Sequence, residues 1–132
     1  MTVLIADDDR LHVQLVSSRL KKLGFDVLAA FDAMQAFTIA IRTCPAAVLL
    51  DVNMPGGTGI EVLKRLKNSS KTNQIPVIVV SGSIDAKTAG TMKDLGAEEY
   101  LPKPVDFDRL IQTLYRVLGM TSESLPHLVD QQ

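Results

Sequence analysis

A single cysteine, Cys44, excludes an internal disulfide, and no second thiol or histidine lies near it in sequence to share a metal. It reads as a small apolar residue at the end of a helix. Neither sign of charge is in excess, with 14 Lys plus Arg against 15 Asp plus Glu. That balance offers no basic surface for nucleic acid and no polybasic membrane anchor. No run approaches the ~20 apolar residues that a membrane helix requires. The amino terminus, MTVLIADDDR, meets three acids directly after TVLIA and lacks the basic start and apolar stretch of a signal peptide. The expected compartment is the cytoplasm. Internal repeats and low-complexity segments are also absent.

What is present is an ordinary globular composition, 46% hydrophobic and 22% charged, over 132 residues. That length suits one domain, able to bury roughly two-thirds of its unfolded surface without a staple. Continuous apolar runs at Thr2–Ala6, Ala46–Leu50 and Pro76–Val80 are too short for helices and read as strands buried on both faces. Gly24–Ala29 and Ala97–Leu101 are weaker strand candidates. Between them, Leu11, Leu15, Val16, Leu20 and Leu23 form one helical stripe, and Met34, Phe37 and Ile41 another. Thr58 followed by Glu61 is a capping-box signature for a helix through about Asn68. Asp85–Leu95 and Asp106–Leu118 complete the helices, with Gly24, Gly96 and Gly119 placed where helices should stop.

Five βα units in strict alternation imply an α/β fold, a five-stranded parallel sheet with helices on both faces and right-handed crossovers. The doubly wound order expected for a small domain of this kind is 2-1-3-4-5, with ligands beyond the carboxyl ends of strands 1 and 3. The domain should occupy residues 1–120. Residues 121–132 are mostly polar, include Pro126 and His127, and read as a tail or the start of a linker. Nothing in 119–132 could fold as an output domain, which is therefore expected elsewhere.

Chemistry gathers on that carboxyl edge. Asp7, Asp8 and Asp9 follow strand 1, and Asp51 ends strand 3. Converging carboxylates repel by about 4 kcal/mol per pair at 4 Å and an effective dielectric of about 20, unless a cation neutralises them. An all-oxygen site with room for water suits Mg²⁺. The plainer reading makes the triplet a cap for helix 1. Asp51 is harder to dismiss, because it interrupts an apolar strand and precedes Asn53-Met54-Pro55-Gly56-Gly57, whose glycines permit close backbone approach. Ser81 at the end of strand 4 and Lys103 at the end of strand 5 add a hydroxyl and an ammonium to the same rim. That set matches phosphoryl transfer, in which positioning and charge neutralisation carry most of the catalysis.

LIADDDR, AAVLLDVNMPGGTGIEVLKRLK, IPVIVVSGS and GAEEYLPKPVD resemble, in order and spacing, the receiver domain of two-component response regulators over about residues 2–118. The resemblance implies a flavodoxin-like (βα)5 fold and a phosphorylation switch that is not a metabolic enzyme, catalysing only its own phosphorylation and dephosphorylation. It makes Asp51 the phosphoacceptor. Asp8 would ligate Mg²⁺ directly, Asp7 mainly through water, and Asn53 through its backbone carbonyl, alongside Asp51. Ser81 and Lys103 would bind phosphoryl oxygens, with Gly82 leaving room. Tyr100 would act with Ser81 as the switch, its ring swinging from an exposed to a buried position, and the Lys103–Pro104 bond would be cis. The implied partners are a sensor histidine kinase or phosphotransfer protein, and an output domain or target on the helix 4/strand 5/helix 5 face. Homodimerisation on phosphorylation is also admitted, whereas direct nucleic-acid binding is not expected.

Three alternatives compete. A haloacid-dehalogenase-type phosphatase would need D-x-D, but Asn53 stands at the second acid and cannot act as a general acid. A flavin protein would need a phosphate-cradling loop after strand 1. A fold-only interaction module would not need the acids and Lys103 intact. His12 has no evident partner on helix 1 and is expected at the surface, as is His127. Lys103 is expected to gain its partner charge only with the phosphate, so its loss should impair signalling more than folding.

Overall fold

The computed structural model describes residues 1–54, 59–82 and 85–120. Five strands, β1 (Thr2–Ala6), β2 (Asp26–Ala30), β3 (Ala47–Leu50), β4 (Val77–Ser81) and β5 (Glu99–Pro102), alternate with five helices. These are α1 (Arg10–Lys22), α2 (Ala33–Thr43), α3 (Gly59–Lys67), α4 (Ala86–Asp94) and α5 (Phe107–Val117). All pairings are parallel, in the order β2-β1-β3-β4-β5. The expected doubly wound α/β fold is the one observed. Strand limits shift by one or two residues from those expected, most at β2 and β5, where the apolar signal is weakest. Ser81 closes β4 rather than following it, and Asp51 stands just past β3.

The apolar runs are continuous because the sheet is covered on both sides. Leu4, Ala6, Val48, Leu50, Val77 and Val79 face the cluster formed with α2, α3 and α4. Their neighbours Val3, Ile5, Ala47, Leu49, Ile78 and Val80 face α1 and α5. The period of two along each strand thus separates two cores. Helix anchoring is uneven: α5 buries Leu110, Ile111, Thr113, Leu114 and Tyr115, whereas α4 buries Met92 alone.

The expected helical stripes are met only in part. Leu11, Leu15 and Met34 are 65%, 51% and 74% exposed. On α1 the expected Val16, Leu20 and Leu23 are buried and Val13 joins them, whereas on α2 the buried row is Ala33, Ala36 and Ala40, with Phe37 partly buried. On α2 the inner row uses the smaller side chains, which permit close packing on the sheet.

Helix ends follow the capping signals. Asp9, Asp32, Asp85 and Asp106 each accept a first-turn N–H from the N-cap position. Gly24, Gly96 and Gly119 stop α1, α4 and α5 at φ 94°, 109° and 68°. Cys44 caps α2 in the left-handed region, φ 45°, and is exposed. The Lys103–Pro104 bond is cis. No helix of the described residues is long and apolar enough to cross a membrane.

Gly56, Gly57 and the capping-box Thr58 lie outside the described residues. Within those described, close approach falls on Gly59, whose N–H donates to the Val52 carbonyl at 2.9 Å. A Cβ there would overlap the Val52 Cα and stand 2.6 Å from the Asp51 carbonyl oxygen, whereas Gly90 on exposed α4 surface has open space. Gly59→Ala should therefore cost about 1–3 kcal/mol in urea unfolding. Gly90→Ala should gain up to about 1 kcal/mol. A Gly59→Ala protein as stable as the wild type would show that the β3–α3 junction yields freely.

Candidate functional site

The sheet register assembles the site. Ala6 lies opposite Leu50 in the β1–β3 ladder, and the next residue, Asp51, donates its N–H to the Ala6 carbonyl at 2.9 Å. Asp7 donates its own N–H to the Ala30 carbonyl at the end of β2. Ser81 ends β4, and its carbonyl accepts the Lys103 N–H at 2.8 Å. Asp7, Asp51, Ser81 and Lys103 are thus each placed by a backbone bond between neighbouring elements.

Asp7, Asp8 and Asp51 each bring a carboxylate oxygen within 4.8 Å of the others. Asp7 and Asp51 are buried and Asp8 is exposed, so the cluster has two fixed acids and one open to solvent. Such an all-carboxylate set fits a hard divalent ion that keeps several waters. Asp9 is not part of it. Its carboxylate takes the His12 N–H at 3.1 Å as the α1 cap, so the triplet serves both as cap and as acid cluster.

Asp51 is bonded at both oxygens. Oδ1 accepts the Ser81 hydroxyl and the Asn53 N–H, each at 2.9 Å. Oδ2 accepts the Lys103 ammonium at 3.0 Å. Lys103 also reaches Asp7 Oδ2 at 2.7 Å. The expectation that Lys103 waits for a phosphate is therefore wrong, because two buried carboxylates already engage it. Tyr100, on β5, is half-buried rather than exposed, and its hydroxyl donates to the Gly82 carbonyl at 2.9 Å.

His12 also departs from expectation. Its Nδ1 lies 2.9 Å from Asp7 Oδ2, and its side chain is 15% exposed. The available signal was position alone, one helical turn beyond the acids that follow β1. Burial pushes the Asp7 carboxyl up. Hydrogen bonds from His12, Lys103 and the Asp9 N–H, with the Lys103 charge, outweigh it and bring the pKa from 3.8 to about 2. Burial likewise lowers Lys103, but its bonds to Asp7 and Asp51 and their charges raise it overall.

A family model described as the response regulator receiver domain matches residues 3–115. The chain belongs to the receiver family. It is accordingly a signalling domain of two-component response regulators rather than a metabolic enzyme, and the phosphatase and flavin readings fall away. The chain is 34% identical over 122 residues to the phosphate regulon transcriptional regulatory protein PhoB of Pseudomonas aeruginosa, covering 91% of this chain and 52% of PhoB. Protein PilH of the same organism is 34% identical over 117 residues, 89% of this chain and 97% of PilH. The receiver domain of NtrX from Brucella abortus superposes with a TM-score of 0.81 at 30% identity, covering 90% of this chain and 99% of that one. The chain thus spans about half the length of PhoB but nearly all of PilH.

The electrostatics of this receiver site predict its acid sensitivity. A carboxyl whose folded pKa lies below its unfolded value stabilises above the unfolded value and loses that contribution as pH falls through the folded one. For Asp7 in the absence of divalent ions, the window runs from about pH 4 down to about pH 2. Lys103→Met, which strands two buried carboxylates, should cost roughly 2–3 kcal/mol at pH 7, less than a fully buried pair because Lys103 is partly exposed. Denaturant unfolding in EDTA should show that deficit narrowing across the same window. A deficit unchanged down to pH 2 would mean that the pair is not what Lys103 contributes.

Proposed function

We propose that this receiver domain accepts a phosphoryl group on Asp51 in a Mg²⁺-dependent reaction and relays the change to the surface formed by α4, β5 and α5. The observation that carries this reading is the setting of Asp51, a buried carboxylate bridged by the Ser81 hydroxyl and the Lys103 ammonium beside two further acids. Asp8, Asp51 and the Asn53 backbone carbonyl would hold the ion directly and Asp7 through water. The ion would supply charge neutralisation for the phosphoryl oxygens.

An Asp51 carboxylate oxygen attacks phosphorus as the P–N bond of a donor phosphohistidine breaks, and the leaving imidazole takes up a proton. The product is an acyl phosphate, and Asp51 gives up its carboxylate charge as its oxygen becomes the bridging one. Lys103 then exchanges its carboxylate partner for a phosphoryl oxygen, and Ser81, already on Asp51, reaches another. The donor class is a sensor histidine kinase or a phosphotransfer protein, met in the cytoplasm. The recipient is an output domain or a separate target, with homodimerisation on phosphorylation as a further outcome. The receiver unit runs over 1–120 in this reading, supported by the Met120 N–H on the Tyr115 carbonyl at 2.8 Å. Residues 121–132, assigned to a tail or linker, lie outside the described residues.

Intact-mass spectrometry with a small phosphodonor and Mg²⁺ should find one added phosphoryl group (about 80 Da) on the wild type. The adduct should be absent without Mg²⁺ and in Asp51→Asn. Equal modification of Asp51→Asn would remove Asp51 as the acceptor.

For the relay, Ser81 touches Asp51 and the next residue, Gly82, accepts the Tyr100 hydroxyl. A pull on Ser81 therefore acts directly on the carbonyl that holds the ring. Half-buried Glu99 forms ion pairs on the same face, reaching Lys93 of α4 at 3.4 Å and Arg116 of α5 at 3.2 Å. A beryllofluoride phosphoryl mimic should shift amide resonances across 82–106 in the wild type and much less in Ser81→Ala. A full wild-type pattern in Ser81→Ala would exclude this route.

A further inference from the structure

Asp7 is bonded at both carboxylate oxygens. Its Oδ1 accepts the Asp9 N–H at 2.9 Å, and its Oδ2 accepts both Lys103 at 2.7 Å and His12 Nδ1 at 2.9 Å. An ionised carboxylate only accepts, so the Nδ1 facing it carries the hydrogen. Nε2 has no hydrogen-bond partner among the described residues. The ring is confined beside Val16, Leu49 and Leu110 with a cavity of only about 10 Å³ next to it. The ring is thus mostly buried, with its Nδ1 turned to Asp7.

Two of the three donors to Asp7 belong to the site's frame, and one is committed elsewhere. Lys103 bridges Asp7 and Asp51. On the function proposed above, it must leave them for the incoming phosphoryl oxygens. The Asp9 N–H holds only Oδ1. Without a further donor, Asp7 Oδ2 would lose its direct partner at the moment when its orientation matters to the ion. A carboxylate has about four lone-pair sites, so one donor on each oxygen still leaves room for the water through which Asp7 meets the metal.

We propose that His12 is a positioning residue for the metal site, holding Asp7 in its ion-binding orientation through the Nδ1–H bond and so releasing Lys103 for the phosphoryl group. Partners that orient a metal-binding carboxylate typically change metal affinity by about 10–100-fold when removed. This inference rests on the Mg²⁺-dependent reading and deepens it.

The test is amide NMR titration of the whole chain with MgCl₂, alongside thermal melts in EDTA. His12→Leu keeps ring-sized apolar bulk and removes the donor, and should weaken Mg²⁺ binding about tenfold. His12→Asn places an amide N–H near the position of Nδ1 and should restore most of the affinity, whereas His12→Gln, whose amide sits one carbon further out, should not. In an Asp7→Asn background, His12→Leu should have no further effect on Mg²⁺ affinity. If His12→Leu fails to fold, the Asn and Gln variants decide the question between them. Unchanged affinity in His12→Leu, or Asn no better than Gln, would overturn this inference alone. A wild type that binds no Mg²⁺ would overturn the reading beneath it as well.

Discussion

One ammonium group holds the carboxyl edge of the sheet together. Asp7 and Asp51 are buried acids on adjacent strand ends, and Lys103 is within hydrogen-bond reach of both. Without that charge the two acids would repel across a few ångströms in a medium that screens poorly. The parallel register brings the acids level, and the Lys103 N–H bonded to the Ser81 carbonyl brings the ammonium to them. The same contact makes the site responsive, since an ammonium shared between two carboxylates can be drawn away by a more highly charged group.

The architecture was legible because burial on both faces leaves a direct mark. Runs such as AAVLL and PVIVV have no polar alternation, and only the core of a covered parallel sheet tolerates them. Asp51 stood out for the same reason, as a charge at the end of an apolar strand. The facing of α2, and of the first turns of α1, was not legible. Two apolar rows on one helix satisfy the same period, and the choice of Val13 over Leu11, or Ala36 over Met34, depends on how near the backbone can come to the sheet.

His12 and the partners of Lys103 were hidden for a different reason. Both are pairings between residues distant from any shared local motif, and they depend on three-dimensional convergence. A histidine in the first turns of a helix usually faces solvent. Only the position of Asp7 at the end of β1, turned back toward α1, gives this one a carboxylate to hold. Gly59 is similar: its need for a bare Cα comes from the Val52 backbone crossing over it, and no local motif announces that crossing.

The uneven anchoring of the helices has a mechanical consequence. Because α4 contributes one buried side chain, Met92, tilting it about that point surrenders little apolar contact. Its outer tie through Lys93 and Glu99 is a surface ion pair, a type that contributes only about 0–1 kcal/mol. α5, with five residues in the core, stays behind as the fixed reference. The compliance of this face is therefore lopsided, and a partner straddling both helices would sense a change in the angle between them rather than a loss of either.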